Sequence, residues 1–109
     1  MKFYKMNGTV VPGENLPGEE IIPNTTDGAY EKHVPVIGQT GDHVTVKVGS
    51  AAHPMLDVHY IEWIILETAT GYQKHDLKPG DAPEAMFAVT EPVIAAYEYC
   101  NLHGLWTGK

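Results

Sequence analysis

Six histidines and a single cysteine hold most of the ligand chemistry available to this 109-residue chain. Four short stretches concentrate it: Glu31-Lys32-His33, the run HPMLDVH from His53 to His59, the sole cysteine Cys100, and His103 three residues later. Imidazole and thiolate together suit iron, copper or zinc. One thiol cannot form an internal disulfide, which leaves a ligand or nucleophile role open to it. His43 and His75 fall at a strand start and in an exposed type of turn, and are read as ordinary.

Geometry constrains these candidates. Ligands of one ion must bring their donor atoms to about 2.0–2.3 Å from it. In a continuous strand His53 and His59 would stand roughly 20 Å apart, and on a helix about 240° apart around the axis. Pro54 also disfavours helix at His53. HPMLDVH can therefore converge on one ion only as a chain folded back on itself. CNLH meets the requirement more easily, because a tight turn joins positions i and i+3, and Asn101 and Gly104 are turn formers. Taken singly, a loop histidine is ordinarily solvated and a lone cysteine is ordinarily a small buried hydrophobe. Taken together, four histidines and the only cysteine beside turns or strand ends form the pattern of a loop-borne site.

The elements that must carry them read as strands. HVPVI (33–37) is β-branched, with Pro35 indicating an edge position. In HVTVKV (43–48), Val44, Val46 and Val48 alternate with Thr45 and Lys47. YIEWIILET (60–68) is a longer apolar strand, and TGYQKHD leads into the turn LKPGDAP (77–83). EAMFAV (84–89) and EPVIAAYEY (91–99) are assigned as strands because turns at fairly regular spacing favour an all-β sandwich. Residues 1–29, rich in Gly, Pro, Asn and Thr, read as a loosely structured arm with one short strand around Glu20–Ile22.

Composition narrows the partners. The formal charge is −7 and every basic residue is a lysine, so the basic stripe expected of a nucleic-acid binder is absent. A small anion would be repelled at long range unless local positive charge redirects it. No stretch approaches the ~20 apolar residues of a membrane span, and no apolar run follows the N-terminal lysines as in a secretory signal. An unpaired thiol suits a reducing compartment. The expectation is a cytoplasmic protein without a membrane or nucleic-acid partner.

EKHVPVI, AHPMLDVHYIEWI, LKPGDAPEA and YCNLHGLW occur in this order, and they resemble the superoxide reductase family of neelaredoxins and desulfoferrodoxins. The resemblance runs from about Thr25 to Trp106. It divides the chain into an arm, residues 1–24, without assignable chemistry and an iron-binding domain, residues 25–109. It implies an immunoglobulin-like β-sandwich with a loop-borne mononuclear iron, one per chain, cycling between Fe2+ and Fe3+. The implied ligands are His33, His53, His59 and His103 in a plane, with Cys100 as axial thiolate. Five protein ligands leave a position open, the mark of a catalytic metal. A thiolate opposite that position donates electron density, as in thiolate-ligated haem. By the same resemblance Glu31 takes the sixth position once the iron is ferric, and Lys32 draws in the anion. The implied activity is one-electron reduction of superoxide to hydrogen peroxide, with re-reduction by a rubredoxin-like donor. The implied assembly is a homo-oligomer, with a tetramer favoured.

One departure concerns the arm. Many relatives carry a four-cysteine iron site there, whereas Met6 stands where a cysteine would be expected and none follows. Electrons must then come from a separate protein. The alternative reading is a cupredoxin-like electron carrier, also a β-sandwich with Cys and His in a C-terminal loop. Such sites use a weak axial ligand, often Met, and GLWTGK after His103 contains none. A metal-free binding module would leave the loop histidines without a role.

Overall fold

A computed structural model describes residues 1–25, 33–49 and 53–108, and every named element among them is a strand. In chain order these are β1 (Lys2–Met6), β2 (Thr9–Gly13), β3 (Glu19–Ile21), β4 (Pro35–Thr40) and β5 (His43–Val48). They are followed by β6 (Ile61–Thr68), β7 (Gly71–Asp76), β8 (Glu84–Ala88), β9 (Val93–Cys100) and β10 (Gly104–Gly108). Three antiparallel sheets result, with orders β2-β1-β3, β10-β9-β6-β7 and β4-β5-β8.

The alternation of β5 sets the sandwich. Val44, Val46 and Val48 are buried while Lys47 is exposed. Ala85 and Phe87 of β8 point the same way. This apolar face meets Ile61, Ile64 and Leu66 of β6 and Ala96 and Cys100 of β9 in one core. β4 is an edge strand, as Pro35 indicated, because a residue without an N–H cannot supply a ladder bond to a further strand. No helix among the described residues is long and apolar enough to cross a membrane.

β6 is buried on both faces, which accounts for its continuous apolar run. Its register slips between Ile61, opposite Cys100, and Trp63, opposite Tyr99, so Glu62 is the extra residue of a bulge. The bulge puts Ile61 and Ile64 into the sandwich core while Trp63 and Ile65 face outward.

The outward face is covered by the N-terminal segment, and here the reading of a loose arm is corrected. β1 and β2 form a hairpin closed by Asn7 (φ 52°) and Gly8 (φ 82°). Both residues adopt the left-handed backbone that a two-residue hairpin turn requires. Phe3 and Val10 then pack with Trp63, Ile65, Ala95, Tyr97 and Leu105 in a second core. Two more strands depart from the reading: TGYQKHD contains β7, and the residues after His103 form β10. β7 is exposed throughout and is defined by backbone pairing with β6, so it carries no apolar period.

Candidate metal centre

The site gathers at one end of the sandwich. HPMLDVH does fold back on itself. Leu56 and His59 exchange both backbone hydrogen bonds, Leu56 N–H to His59 O at 2.9 Å and His59 N–H to Leu56 O at 3.0 Å. Asp57 and Val58 form the reversal between them, so His53 and His59 converge although six positions separate them. Cys100 ends β9, and Asn101, Leu102 and His103 turn the chain into β10, where Gly104 pairs back to Cys100. Gly104 has φ +88°, a conformation that suits a residue without a Cβ. His33 enters from the other side of the chain, just before β4, where the Val34 carbonyl accepts the Gly49 N–H at 2.9 Å.

The four imidazoles form a closed circuit. Ring centres lie 5.1 Å apart for His33–His53, 4.8 Å for His53–His59, 5.0 Å for His59–His103 and 4.8 Å for His103–His33. Four coplanar imidazoles bound at about 2.1 Å to one ion would place neighbouring ring centres roughly 4.6 Å apart. The circuit has that spacing to within about half an ångström. Ligand atoms of His33, His53 and Cys100 all lie within 4.8 Å of one another. Cys100 is fully buried, His33 and His53 are buried, His59 is half-buried and His103 is exposed. The sulfur therefore sits on the core side and the circuit opens towards solvent at His59 and His103.

Protonation follows from these surroundings. His53 Nδ1 donates to the Pro54 carbonyl at 2.6 Å, which leaves Nε2 with its lone pair, buried and with no hydrogen-bond partner. Burial is the main reason the His53 pKa falls to about 4, with the neighbouring histidines adding to it against the Pro54 hydrogen bond. A neutral imidazole with one nitrogen tied and the other bare is poised as a metal ligand. Burial pushes the Cys100 thiol up, opposed by backbone N–H groups of Leu102 and His103 directed at the sulfur. A bound cation reverses the balance, because a coordinated thiol is deprotonated. The clustered donor atoms of His33, His53 and Cys100, the bare His53 Nε2 and the neighbouring rings of His59 and His103 together fit a transition metal such as iron.

Two residues outside the candidate list hold this arrangement. Asn101 Oδ1 accepts the Tyr60 N–H at 2.9 Å and its Nδ2 donates to the Val58 carbonyl at 3.1 Å, so its carboxamide brackets His59. Trp106 donates from Nε1 to the His103 carbonyl at 3.1 Å. Asn101 was visible only as a turn former. Glu31 and Lys32 lie outside the described residues. His43 and His75, set aside as ordinary, are exposed at the start of β5 and on β7; His75 meets Phe87 edge-on at 6.4 Å.

Comparison with known proteins identifies the family and the fold. A family profile described as Desulfoferrodoxin matches residues 25–109. A desulfoferrodoxin of Nitratidesulfovibrio vulgaris is 56% identical over 85 residues, covering 78% of this chain and 68% of that protein. The superoxide reductase of Treponema pallidum superposes with a TM-score of 0.86 at 39% identity, covering 100% of this chain and 99% of that one. A Giardia intestinalis superoxide reductase superposes at 0.63 with 33% identity, over 72% of this chain and 95% of that one. The first solved relative spans the N-terminal sheet as well as the sandwich. With the profile spanning residues 25–109 and more than half of the aligned residues shared with the Nitratidesulfovibrio protein, the chain belongs to the desulfoferrodoxin family.

Proposed function

We propose that this chain is a superoxide reductase, reducing superoxide by one electron to hydrogen peroxide. Its iron, one per chain, would be held by His33, His53, His59, His103 and the thiolate of Cys100. The observation that carries the reading is the closed circuit of four imidazoles, two of which have donor atoms within 4.8 Å of the buried Cys100 sulfur. The names of the relatives from Treponema and Giardia support it. When bound, iron supplies the single electron, and two protons complete hydrogen peroxide.

The chain's own residues do the rest. Burial of Cys100 and the two amides aimed at its sulfur tune how much charge the thiolate donates. The Pro54 carbonyl fixes the tautomer of His53. With sulfur on the core side, a small anion approaches where His59 and His103 meet solvent. Lys32, next to His33 in sequence, offsets the −7 charge locally. Glu31 would serve as a carboxylate ligand to the oxidised iron. The chain has one cysteine, too few for a four-thiolate centre within it, so a rubredoxin-like protein would supply the electron; the family resemblance favours a homo-oligomer, a tetramer first. A cupredoxin-like carrier is not favoured: the family match and the solved relatives lie elsewhere.

Metal analysis joined to a product assay tests the reading. The expected result is about one iron per chain and one peroxide for each superoxide consumed, with stoichiometric oxidation of added reductant. The oxidised protein should show a visible sulfur-to-iron band that Cys100→Ser abolishes. Stoichiometric copper or zinc after growth with iron, or half a peroxide per superoxide, would overturn it.

A further inference from the structure

Trp106 touches the centre from two directions. Its indole lies nearly parallel to the His33 ring, with centres 4.9 Å apart and planes at 15°. That is offset-stacking distance for aromatic pairs. The same ring donates from Nε1 to the His103 carbonyl at 3.1 Å. The His103 amide, in turn, is one of the two N–H groups directed at the Cys100 sulfur. Trp106 is 4% exposed, and Leu105 beside it is also buried. Its backbone is pinned as well: Asn24 N–H donates to Leu105 O at 2.8 Å and Thr107 N–H to Asn24 O at 2.9 Å, with Asn24 bridged to Trp106.

An imidazole on a single methylene can rotate, and rotation swings its donor lone pair away from a metal. A flat partner against one face limits that rotation. Cys100 and His103 belong to the same β9–β10 hairpin as Trp106, whereas His33 comes from before β4, a remote part of the chain. The registry between them needs a contact that spans both.

We propose that Trp106 is a positioning residue of the metal centre, its indole face holding the plane of His33 while its N–H holds the His103 carbonyl. The proposal rests on the metal-site reading above. One side chain thereby couples a distant imidazole to the turn that carries the thiolate. Outer-shell partners of this kind typically change metal affinity by about 10- to 100-fold when removed.

The test uses Co2+ alone on metal-free protein, with affinity read by competition against a chromophoric chelator. The second readout is the energy of the sulfur-to-cobalt band at saturating Co2+, which a loss of stability by itself does not move. Trp106→Leu loses both contacts, Trp106→Phe keeps a flat face without the N–H, and Trp63→Phe removes the other indole. Expected is a loss of Co2+ affinity of about 10-fold or more in Trp106→Leu, with a displaced band. Trp106→Phe should show a smaller loss with the band displaced, and Trp63→Phe should match wild type. Wild-type affinity and band energy in folded Trp106→Leu and Trp106→Phe would overturn the proposal. If Trp106→Leu does not fold, the Trp106→Phe band decides: displaced supports, unmoved overturns. Wild-type protein that binds no Co2+ would instead sink the metal-site reading, and this inference with it.

Discussion

Asn101 and Tyr60 exchange two hydrogen bonds across the mouth of the site: Tyr60 N–H to Asn101 Oδ1 at 2.9 Å and Asn101 N–H to Tyr60 O at 3.2 Å. With the third bond to Val58, the turn that follows Cys100 is stitched to both neighbours of His59. Asn101→Ala leaves the Tyr60 amide without its acceptor, at a cost of about 1–3 kcal/mol if the amide stays buried. Metal affinity should fall by about 10-fold or more. Asn101→Asp keeps the acceptor for Tyr60 and loses the donor to Val58, so it should fall between. Chemical denaturation and chelator competition on the three proteins check both effects. Unchanged metal affinity in a folded Asn101→Ala would show that the two loops hold their registry without it.

The histidines should divide into two groups. His59→Ala and His103→Ala each open the imidazole circuit and should lose most bound iron. His43→Ala and His75→Ala alter exposed residues on β5 and β7 and should retain it. Because metal binding is coupled to folding, circular dichroism of each variant comes first. Equal loss in all four would remove the circuit as the binding site.

Lys32 should act on the arrival of superoxide rather than on iron content. A positive charge at the approach typically raises on-rates by ~10-fold or more, an effect that fades as salt screens it. Lys32→Ile should keep its iron, slow the second-order reaction with superoxide and flatten its dependence on ionic strength. Pulse radiolysis over a salt series measures both. A rate and salt slope that survive the substitution would make Lys32 a solvated bystander.

Tyr97 links the outer core to alkaline stability. Its hydroxyl donates to Glu67 Oε1 at 2.8 Å, and burial, followed by this bond and the Glu67 charge, pushes its pKa up to about 12. The folded value lies above the unfolded one of about 10, so the contribution is complete below pH 10. It is lost as pH rises from about 10 to about 12, by roughly 3 kcal/mol at most. Urea unfolding at stepped alkaline pH should show this slope, reduced in Tyr97→Phe. Identical slopes in the two proteins would contradict it.

The alternation of Val44, Val46 and Val48 was legible because one face of β5 is buried and the other is wet. The fold-back of HPMLDVH was legible by elimination, since neither strand nor helix could bring its histidines together. The β1–β2 hairpin was missed even though Asn7-Gly8 is a strong turn signal, because the surrounding Gly, Pro and Asn weighed towards loop. β7 could not be seen at all: GYQKHD has no buried residue, and only its partner β6 makes it a strand. Asn101 and Trp106 lay in a recognised motif, but their roles depend on Tyr60 and His33, which only the folded chain brings near.

The two-sided burial of β6 has a consequence for where this protein can be cut. The family profile begins at residue 25, yet Phe3 stacks on Trp63 at 5.8 Å and leans on Tyr97 at 4.8 Å. The stretch that carries the family's signature and the stretch that folds as a unit therefore do not coincide. A version starting at residue 25 would bare Trp63, Ile65, Tyr97 and Leu105 as one sticky apolar sheet face, the kind of surface that drives self-association. The N-terminal hairpin, with no thiol of its own, thus serves as a lid of hydrocarbon, Phe3 and Val10 closing over that sheet face.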